Sequence, residues 1–402
     1  MGQTFGARGV DTRARGRPSR EKHTRVPRHT NLIGQEMKAL KHASALTGCY
    51  AIALSLASCG GDGSPATATT PANTATASGL SLTVFAQAPA SNNKPDSIVQ
   101  LGNTIFIGYQ NAGDVKDGSV AGLANSVVQY DLSGKAMKTY SVPGHVDGLL
   151  ARGDTNTLWA MANEDGNPLL TIIDLGTGSQ KTYSPTLPTA HGGGFDDLQL
   201  IGGVVYVSAS NPTTPGAAPT VDALTLNANG TTFDVAPVLA GNAQATDITP
   251  SLGGSPNPTF NQPTTLALTD PDSEATDPSG NLVLDSQADG RLVFIKNPGP
   301  SQTVSVLTLT LYNDKDGPVY PVDDTRFVPA PGPTGKTFML FTDANNITYR
   351  VDGAFKQGDA YSAGQGQVMQ LDLSTGHLTP VVVGIGNAAA LHDPHGMLFV
   401  AQ

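Results

Sequence analysis

The stretches VVQYDLSG at residues 127–134, LTIIDLGTG at 170–178 and VMQLDLSTG at 368–376 repeat one pattern. In each, a run rich in β-branched, aliphatic or aromatic residues ends in Asp-Leu and enters a glycine-containing turn. Short apolar runs bounded by turn residues are typical of β-strands. We therefore predict that each stretch is the third strand of a small sheet and turns into the outermost strand of that sheet.

A second unit alternates with the first and opens with an acidic residue, a small or polar residue and an apolar residue. Its leading residues are Asp96, Asp147, Asp196, Asp272, Asp323 and, more loosely, Asp393. The intervals between them are 51, 49, 76, 51 and 70 residues. A period of about 40 to 50 residues is typical of the four-stranded blades of a β-propeller. We predict an all-β propeller with six blades, and the long third interval leaves seven blades as the alternative.

The two ends of the predicted domain complement each other. The chain finishes with the strand GMLFVAQ at 396–402, and no outer strands follow it. The strand-like segment LSLTVF at 80–85 lies at the other end. We predict that it supplies the outer strand of the last blade, so that the N- and C-terminal strands close the ring and cover a sheet edge.

The N-terminal region carries a secretory signal. Met37 opens a short basic stretch, an apolar run covers 43–54, and LASC follows at 56–59. The run is shorter than the roughly 20 residues that cross a bilayer. LASC resembles the lipobox of bacterial lipoproteins, which implies that the signal peptide 37–58 is removed and that Cys59 is lipidated. The alternative is an ordinary cleaved signal with an incidental cysteine.

These assignments divide the chain. Residues 1–36 carry seven arginines, and because a signal peptide belongs at the very start, we expect Met37 to be the true start and 1–36 to be an upstream extension. A basic nucleic-acid-binding arm is the competing interpretation. Residues 59–79 are rich in Ala, Thr and Pro and predict a disordered tether. Residues 80–402 form the propeller domain.

Charge and cysteine content narrow the partners. Without residues 1–58 the chain keeps 13 basic and 30 acidic residues, a formal net charge of −17. Such a surface repels nucleic acid and anionic lipid headgroups. Cys49 and Cys59 lie in the signal and under the lipid, so the domain has no disulfide. We expect a monomer held to the membrane by its lipid, with an envelope protein, a glycan or a small ligand as partner.

The leading acidic residues are the main candidate site. Because the innermost strands of a propeller surround a central channel, we expect these residues and the acids beside them at one mouth of it. The predicted channel-mouth residues are Asp96, Asp147, Asp196, Asp197, Asp272, Asp323 and Asp324. Clustered carboxylates repel one another unless a cation or hydrogen-bond donors intervene. Ca²⁺ or another divalent cation is the candidate cofactor; the alternative is that each Asp accepts backbone N–H bonds in its own turn.

Histidines accompany three of the acidic units. The candidate metal ligands are Asp147, Asp196, Asp323, His145, His191, His392 and His395. Imidazoles beside carboxylates suit a transition metal or a general base. Their offsets from the acidic residue differ, so the competing interpretation is that they are polar residues bridging the blades.

The repeats resemble NHL-type and related six-bladed propellers. VPGHVDGL at 142–149, HGGGFDD at 191–197 and DSQAD at 285–289 resemble more closely a group of bacterial secreted proteins without an assigned function. The resemblance covers 80–402 and implies a fold but no catalytic residues. Gly60 stands where an inner-membrane retention signal typically has Asp, so the lipoprotein resemblance favours the outer membrane, on its periplasmic or surface face.

Two classes of function follow. We prefer a non-enzymatic binding or scaffold lipoprotein whose propeller engages a ligand near the cell envelope. The alternative is a divalent-metal-dependent hydrolase that resembles gluconolactonase and strictosidine-synthase-like propellers and acts on a lactone or ester in the channel. His-Glu-x-x-His and Gly-x-Ser-x-Gly signatures are absent from the sequence.

Overall fold

The computed structural model describes residues 74–75, 79–89, 92–110, 124–311, 319–383 and 391–402. Within these ranges the chain forms β-strands joined by turns and no helix, so the all-β prediction is confirmed. None of the described segments is a helix long and apolar enough to cross a membrane. Residues 1–36, the predicted signal peptide, Cys59 and most of the predicted tether lie outside the described residues.

The first part of the chain forms three four-stranded antiparallel sheets, preceded by β1 (Thr74–Ala75) and β2 (Ser81–Gln87). Sheet I consists of β3 (Pro95–Leu101), β4 (Thr104–Tyr109), β5 (Ala124–Asp131) and β6 (Ala136–Pro143). Sheet II consists of β7 (Val146–Arg152), β8 (Thr157–Ala162), β9 (Leu169–Asp174) and β10 (Gln180–Pro185). Sheet III consists of β11 (Leu198–Ile201), β12 (Val204–Ser208), β13 (Pro219–Leu226) and β14 (Thr232–Ala240).

Sheet IV has additional strands on its outer edge. Its four main strands are β19 (Pro271–Thr276), β20 (Leu282–Ser286), β21 (Arg291–Lys296) and β22 (Thr303–Thr308). The insertion before them contains β15 (Gln244–Asp247), β16 (Ser251–Leu252), β17 (Ser255–Pro256) and β18 (Pro263–Thr265). β15 pairs with β22 in parallel and with β18 in antiparallel fashion, so part of the insertion widens the sheet.

Sheets V and VI share one interlaced segment. Sheet V consists of β24 (Asp324–Phe327), β27 (Ala360–Gly364), β28 (Gln367–Asp372) and β29 (His377–Val383), with β23 (Thr310–Leu311) added in parallel. Sheet VI consists of β30 (Pro394–Ala401), β25 (Thr337–Asp343), β26 (Ile347–Asp352) and β2. After β24 the chain thus crosses to sheet VI, forms β25 and β26, and returns to complete sheet V.

The sheets close into a ring. Six clusters of buried apolar side chains fill the interfaces between neighbouring sheets. The one that closes the ring contains Val400 of β30 and Ile98 of β3. The innermost strands β3, β7, β11, β19, β24 and β30 contact one another in that cyclic order. Radial antiparallel sheets around one axis define a β-propeller, so the predicted fold is confirmed, and the described residues contain six such sheets.

The repeated Asp-Leu stretches turn where the sequence predicts. They lie in β5, β9 and β28, each the third strand of its sheet. In the first turn Asp131 Oδ1 accepts hydrogen bonds from the N–H groups of Ser133 and Lys135, at 2.9 and 3.0 Å. Gly134 adopts a φ of 83°, a conformation that favours glycine. The aspartate satisfies the turn and the glycine reverses the chain, which explains the repeated pattern.

The terminal strands meet as expected. β2 is the outermost and β30 the innermost strand of sheet VI, which confirms the predicted closure. The predicted tether needs one correction, because β1 pairs with β29 and aligns Thr74 with Val383. Two residues of the 59–79 segment therefore join the edge of sheet V, where they supply backbone partners to an exposed strand.

The contact between innermost strands can be tested at Gly148. A Cβ atom there would lie 2.2 Å from the Asp196 carbonyl oxygen and 2.8 Å from Asp197 Cα. We predict that Gly148→Ala lowers the free energy of unfolding by about 1–3 kcal/mol, because overpacking forces backbone shifts. Gly153→Ala is the control, since its Cβ would meet only the end of the Leu101 side chain, at 3.3 Å. Urea unfolding of the two variants measures the difference, and equal stabilities would contradict the packed ring.

Candidate functional site

In four of the six sheets the innermost strand begins with an irregularity in its ladder. In sheet I two residues bulge from the ladder after Pro95, and in sheet VI two bulge after Pro394. The first bulged residue is Asp96 in one sheet and His395 in the other. The residues at the start of the six innermost strands, or one or two positions before it, which we call the leading residues, are Asp96, Asp147, Asp196, Asp272, Asp323 and His395. Asp393, the predicted last leading residue, also lines the cavity, but the first bulged residue of β30 is His395, two positions later.

The leading residues line one cavity of about 390 Å³. All seven predicted channel-mouth aspartates border it, together with His145, His395 and several residues from the adjoining turns. Eleven acidic side chains line the cavity, against two basic ones, Lys94 and Arg326. Carboxylates held this close favour the binding of positive charge.

Two groups of side chains have the spacing of a metal site. Asp96, Asp323 and His395 offer ligand atoms that all lie within 4.8 Å of one another. Glu164, Asp196 and Asp272 form a second such group. The first group comes from sheets I, V and VI, and the second comes from sheets II, III and IV. They therefore lie on opposite sides of the ring.

Burial changes the protonation of these groups. Removal from water raises the pKa of Asp96, Asp196 and Asp272 well above the usual range of an aspartate. Burial also raises the pKa of Glu164. Because Asp196 and Asp272 share a side-chain hydrogen bond, one of the two must carry a proton when no cation separates them.

His395 is the one histidine among the six leading residues. Its Nδ1 lies 3.0 Å from Asp323 Oδ1 and 3.7 Å from Asp96 Oδ1. Burial alone lowers its pKa, but the carboxylates of Asp323, Asp96 and Asp393 outweigh burial and raise that pKa well above the usual value. Without another cation, His395 therefore supplies positive charge to this side of the cavity.

Asp147 is held by groups other than a metal. Its Oδ1 atom lies 2.8 Å from His145 Nδ1 and accepts a hydrogen bond from Gln110 Nε2 at 3.1 Å. Its Oδ2 atom accepts the N–H of Glu164 at 3.0 Å. With both oxygens occupied, Asp147 and His145 form a separate pair on the cavity wall. The structure does not bring them into either group with metal-site spacing.

Asp197 and Asp324 each follow a leading residue directly, and both pair with Arg326. Arg326 Nη2 lies 3.1 Å from Asp197 Oδ2, and its Nη1 lies 2.9 Å from Asp324 Oδ1. Arg326 also donates to the carbonyl oxygens of Glu274 and Met397, at 2.5 and 3.2 Å. One guanidinium thus joins the innermost strands of sheets III, IV, V and VI. These two predicted channel-mouth residues line the cavity and pair with Arg326, and neither belongs to a group with metal-site spacing.

Two predicted metal ligands lie elsewhere. The His191 side chain is buried against Phe195, and its Nε2 lies 2.6 Å from the Gly194 carbonyl oxygen. His392 is exposed, and its backbone N–H donates to Asp343. Neither imidazole lines the cavity, because each sits in a turn at a different distance from its leading residue. The structure therefore does not bring these two predicted metal ligands to the cavity.

Several residues of the site lack a recognisable signal in the sequence. The cavity also receives Gln110, Glu164, Asp165, Asp270 and Gln287, which lie in turns after the second strand or before the innermost strand. Gln287 Nε2 donates to Asp323 Oδ1 at 2.7 Å, and Gln110 Nε2 donates to Asp96 Oδ2 at 2.8 Å. The only common signal is position, since Gln110 and Gln287 directly follow strands β4 and β20.

Comparisons with known proteins give structural similarity without a family. No protein-family model matches the chain, and no curated protein matches it. A streptogramin B lyase structure has a TM-score of 0.42 and 12% identity, covering 79% of this chain and 91% of its own. A protein described as a gluconolactonase has a TM-score of 0.41 and 12% identity, covering 81% of this chain and 93% of its own. A protein of unknown function from Bacteroides thetaiotaomicron has a TM-score of 0.47 and 10% identity, covering 78% of this chain and 67% of its own.

At these TM-scores and identities, no site residue and no activity is carried over to this chain. The resemblance to NHL-type secreted proteins stays a prediction.

The Arg326 contacts predict a large loss of stability in Arg326→Met. The variant leaves the buried carboxylates of Asp197 and Asp324 without their partner, which costs about 3–5 kcal/mol of unfolding free energy. Arg350→Met is the control, because Arg350 pairs with the more exposed Asp352 at 2.6 Å and such pairs contribute about 1 kcal/mol or less. The triple variant Arg326→Met, Asp197→Asn, Asp324→Asn should recover most of the loss. Unfolding in guanidinium chloride measures the free energy of unfolding of each variant. A small loss of stability in Arg326→Met would contradict the role of Arg326 in joining the sheets.

A pH dependence follows from Asp222, a buried residue of β13 outside the cavity. Burial raises its pKa to about 7, so between about pH 4 and 7 the folded chain keeps a proton that the unfolded chain releases. Stability therefore falls as pH rises through this window, by up to about 1.4 kcal/mol per pH unit. Asp222→Asn should remove this contribution, while Asp234→Asn, on the exposed face of β14, should not. Unfolding curves at pH 4 to 8 test this, and parallel pH profiles for wild type and Asp222→Asn would contradict it.

Proposed function

We propose that this chain is a lipid-anchored protein of the bacterial cell envelope whose propeller binds a cation in its central cavity. The observation that carries the proposal is the convergence of the leading residues on one acid-lined cavity. In the described cavity Arg326 pairs with two of the acids, Asp197 and Asp324. Glu164, Asp196 and Asp272 offer oxygen atoms within 4.8 Å of one another, and bound positive charge would relieve the repulsion between their carboxylates.

Ca²⁺ is the cation that best fits the group formed by Glu164, Asp196 and Asp272. These residues offer only oxygen ligands, and Ca²⁺ takes six to eight oxygens from carboxylates, carbonyls and water. The opposite group contains His395, and a mixed imidazole and carboxylate set suits a transition metal better. We therefore place Ca²⁺ between Glu164, Asp196 and Asp272, where it would take the place of the proton shared by the two aspartates.

The proposed location rests on the sequence. The resemblance of LASC at 56–59 to a lipobox supports lipidation at Cys59, and Gly60 supports an outer-membrane destination. The Ala-, Thr- and Pro-rich composition of residues 59–79 supports a tether between the lipid and the propeller.

Isothermal titration calorimetry of the full-length chain in detergent tests the cation site. We expect Ca²⁺ to bind with one strong site at neutral pH. Asp196→Asn and Asp272→Asn should each weaken binding by about tenfold or more, because each removes a charged ligand. Asp131→Asn, at the end of β5 and outside the cavity, is the matched control and should bind as the wild type does. Binding should weaken at acidic pH, since protons compete for the same carboxylates.

The decisive comparison is between Asp196→Asn and Asp131→Asn. If neither Ca²⁺ nor another divalent cation binds, or if both variants bind like the wild type, the proposed function is wrong.

A further inference from the structure

The insertion before β19 is not needed to close the ring. Strands β19 to β22 complete sheet IV, and the insertion adds β15 and β18 beyond its outermost strand. Between these two strands, β16 and β17 form a separate hairpin. The insertion therefore lies on the outer side of the propeller, whereas the central cavity lies at the starts of the innermost strands.

The insertion is fixed by its own hydrogen bonds. The buried Asp247 accepts two of them at Oδ2, from Asn257 Nδ2 at 2.8 Å and from Thr259 Oγ1 at 2.6 Å. The hairpin of β16 and β17 turns through Gly253 and Gly254, whose φ angles are 55° and 72°. Two positive φ angles are what the commonest two-residue hairpin turn requires. A loop held in this way keeps the same side chains on its surface.

Charge is absent from most of the insertion and nearly absent from the neighbouring sheet III. Residues 248–269 contain no charged side chain, although the predicted mature chain carries 30 acidic and 13 basic residues. Residues 198–247 contain no Lys, Arg or His and three aspartates. Asp222 and Asp247 are buried, so Asp234 is the one exposed charge in the two ranges. We call the outer surface of these two ranges the neutral wall.

The insertion also exposes large apolar side chains. Leu252 is 38% exposed and Phe260 is 41% exposed, and Pro256, Pro258 and Pro263 of the same insertion are exposed as well. Single exposed apolar residues are common, but here one fixed loop without an exposed charge carries all of them. This combination suits the surface of a lipid bilayer, where aromatic and aliphatic side chains lie at the boundary between headgroups and acyl chains.

We propose that the insertion docks on the surface of a lipid bilayer, with Leu252 and Phe260 at the boundary between headgroups and acyl chains, and that this contact orients the propeller. The inference rests on the proposed lipid anchor, because lipidation at Cys59 would keep a bilayer within reach of the chain. The lipid would hold the chain at the membrane, and the insertion would add a second contact that decides which side of the propeller faces it.

The distribution of charge favours this side of the molecule. Eleven acidic side chains line the central cavity, and anionic headgroups repel such a surface. The neutral wall can approach headgroups without this repulsion, since its one exposed carboxylate belongs to Asp234 of β14. An orientation with the neutral wall on the bilayer therefore keeps the acidic residues away from the headgroups and the cavity open to cations in solution.

Tryptophan fluorescence of the full-length chain, reconstituted in phosphatidylcholine vesicles, tests the contact. In Phe260→Trp we expect a blue-shifted emission that is quenched by lipids brominated on their acyl chains. Met137→Trp is the matched control, because Met137 is 58% exposed on β6 of sheet I, outside the neutral wall, and its emission should stay that of a side chain in water. The native Trp159 is buried and adds the same background to both. Leu252→Trp provides a second reporter.

Vesicle partitioning measures the contribution of the apolar side chains without the lipid. The full-length chain with Cys59→Ala is titrated with the same vesicles. Adding Leu252→Ser and Phe260→Ser should weaken partitioning by about tenfold or more, because two apolar side chains lose their burial. Adding Met137→Ser should leave it unchanged. High salt should have no effect on the partitioning, because the neutral wall meets zwitterionic headgroups without an ionic attraction that salt could screen.

The outcomes separate this inference from the proposed function. Quenching confined to the Phe260→Trp reporter supports docking. Equal quenching of the Phe260→Trp and Met137→Trp reporters, or of neither, overturns docking and leaves the lipid anchor and the cation site standing. A blue shift in Phe260→Trp that grows with protein concentration without vesicles shows that a second copy covers the insertion, which also overturns docking.

The mass of the N-terminal peptide reports the lipid separately. A Cys59 without acyl chains overturns the lipid anchor, and the vesicle titration then decides docking by itself. Ca²⁺ should bind to the chain carrying Leu252→Ser and Phe260→Ser as it does to the wild type, so failure of the cation site is also recognised separately.

Discussion

The contacts of Arg326 are the constraint on which the centre of this propeller depends. A guanidinium can donate in several directions within one plane, and here it reaches two carboxylates and two backbone carbonyls from four different sheets. Each of these partners lies one or two residues after a leading residue. The guanidinium therefore joins backbone segments that directly follow leading residues in four sheets. A lysine in its place would carry the charge without this geometry.

The inner ring is held by a second set of contacts that alternates around it. Ser97 Oγ accepts the N–H of Leu149 in sheet II, and Asp324 Oδ2 accepts the N–H of Met397 in sheet VI. At the same position in sheets II and VI, glycine allows the next strand to approach directly, as Gly396 does against Asp96. Short polar side chains and glycine therefore follow the leading residues because the space between innermost strands admits nothing larger. This close packing brings carboxylates together against their mutual repulsion, an arrangement that is expected at a functional site.

Features of the fold that depend on local sequence were predictable. The Asp-Leu turns could be recognised because aspartate and glycine satisfy each turn within a few residues, and the leading aspartates because they recur at the period of a blade. The crossing of residues 328–359 from sheet V to sheet VI could not be predicted, because each strand pattern is compatible with either sheet. The last sheet has His395 where the other five have a leading aspartate. The nearby Asp393 made this difference unrecognisable in the sequence. Arg326 gives no signal in sequence, because its partners are up to 129 residues away.

The proposed function depends on one cation bound in the central cavity between Glu164, Asp196 and Asp272. Anomalous diffraction from crystals grown with Ca²⁺, recorded at a wavelength where calcium scatters anomalously, tests this site. We predict a peak in the central cavity, about 2.3–2.6 Å from carboxylate oxygens of Glu164, Asp196 and Asp272. Calcium peaks confined to the outer surface, with Asp196 and Asp272 still hydrogen-bonded to each other, would contradict it.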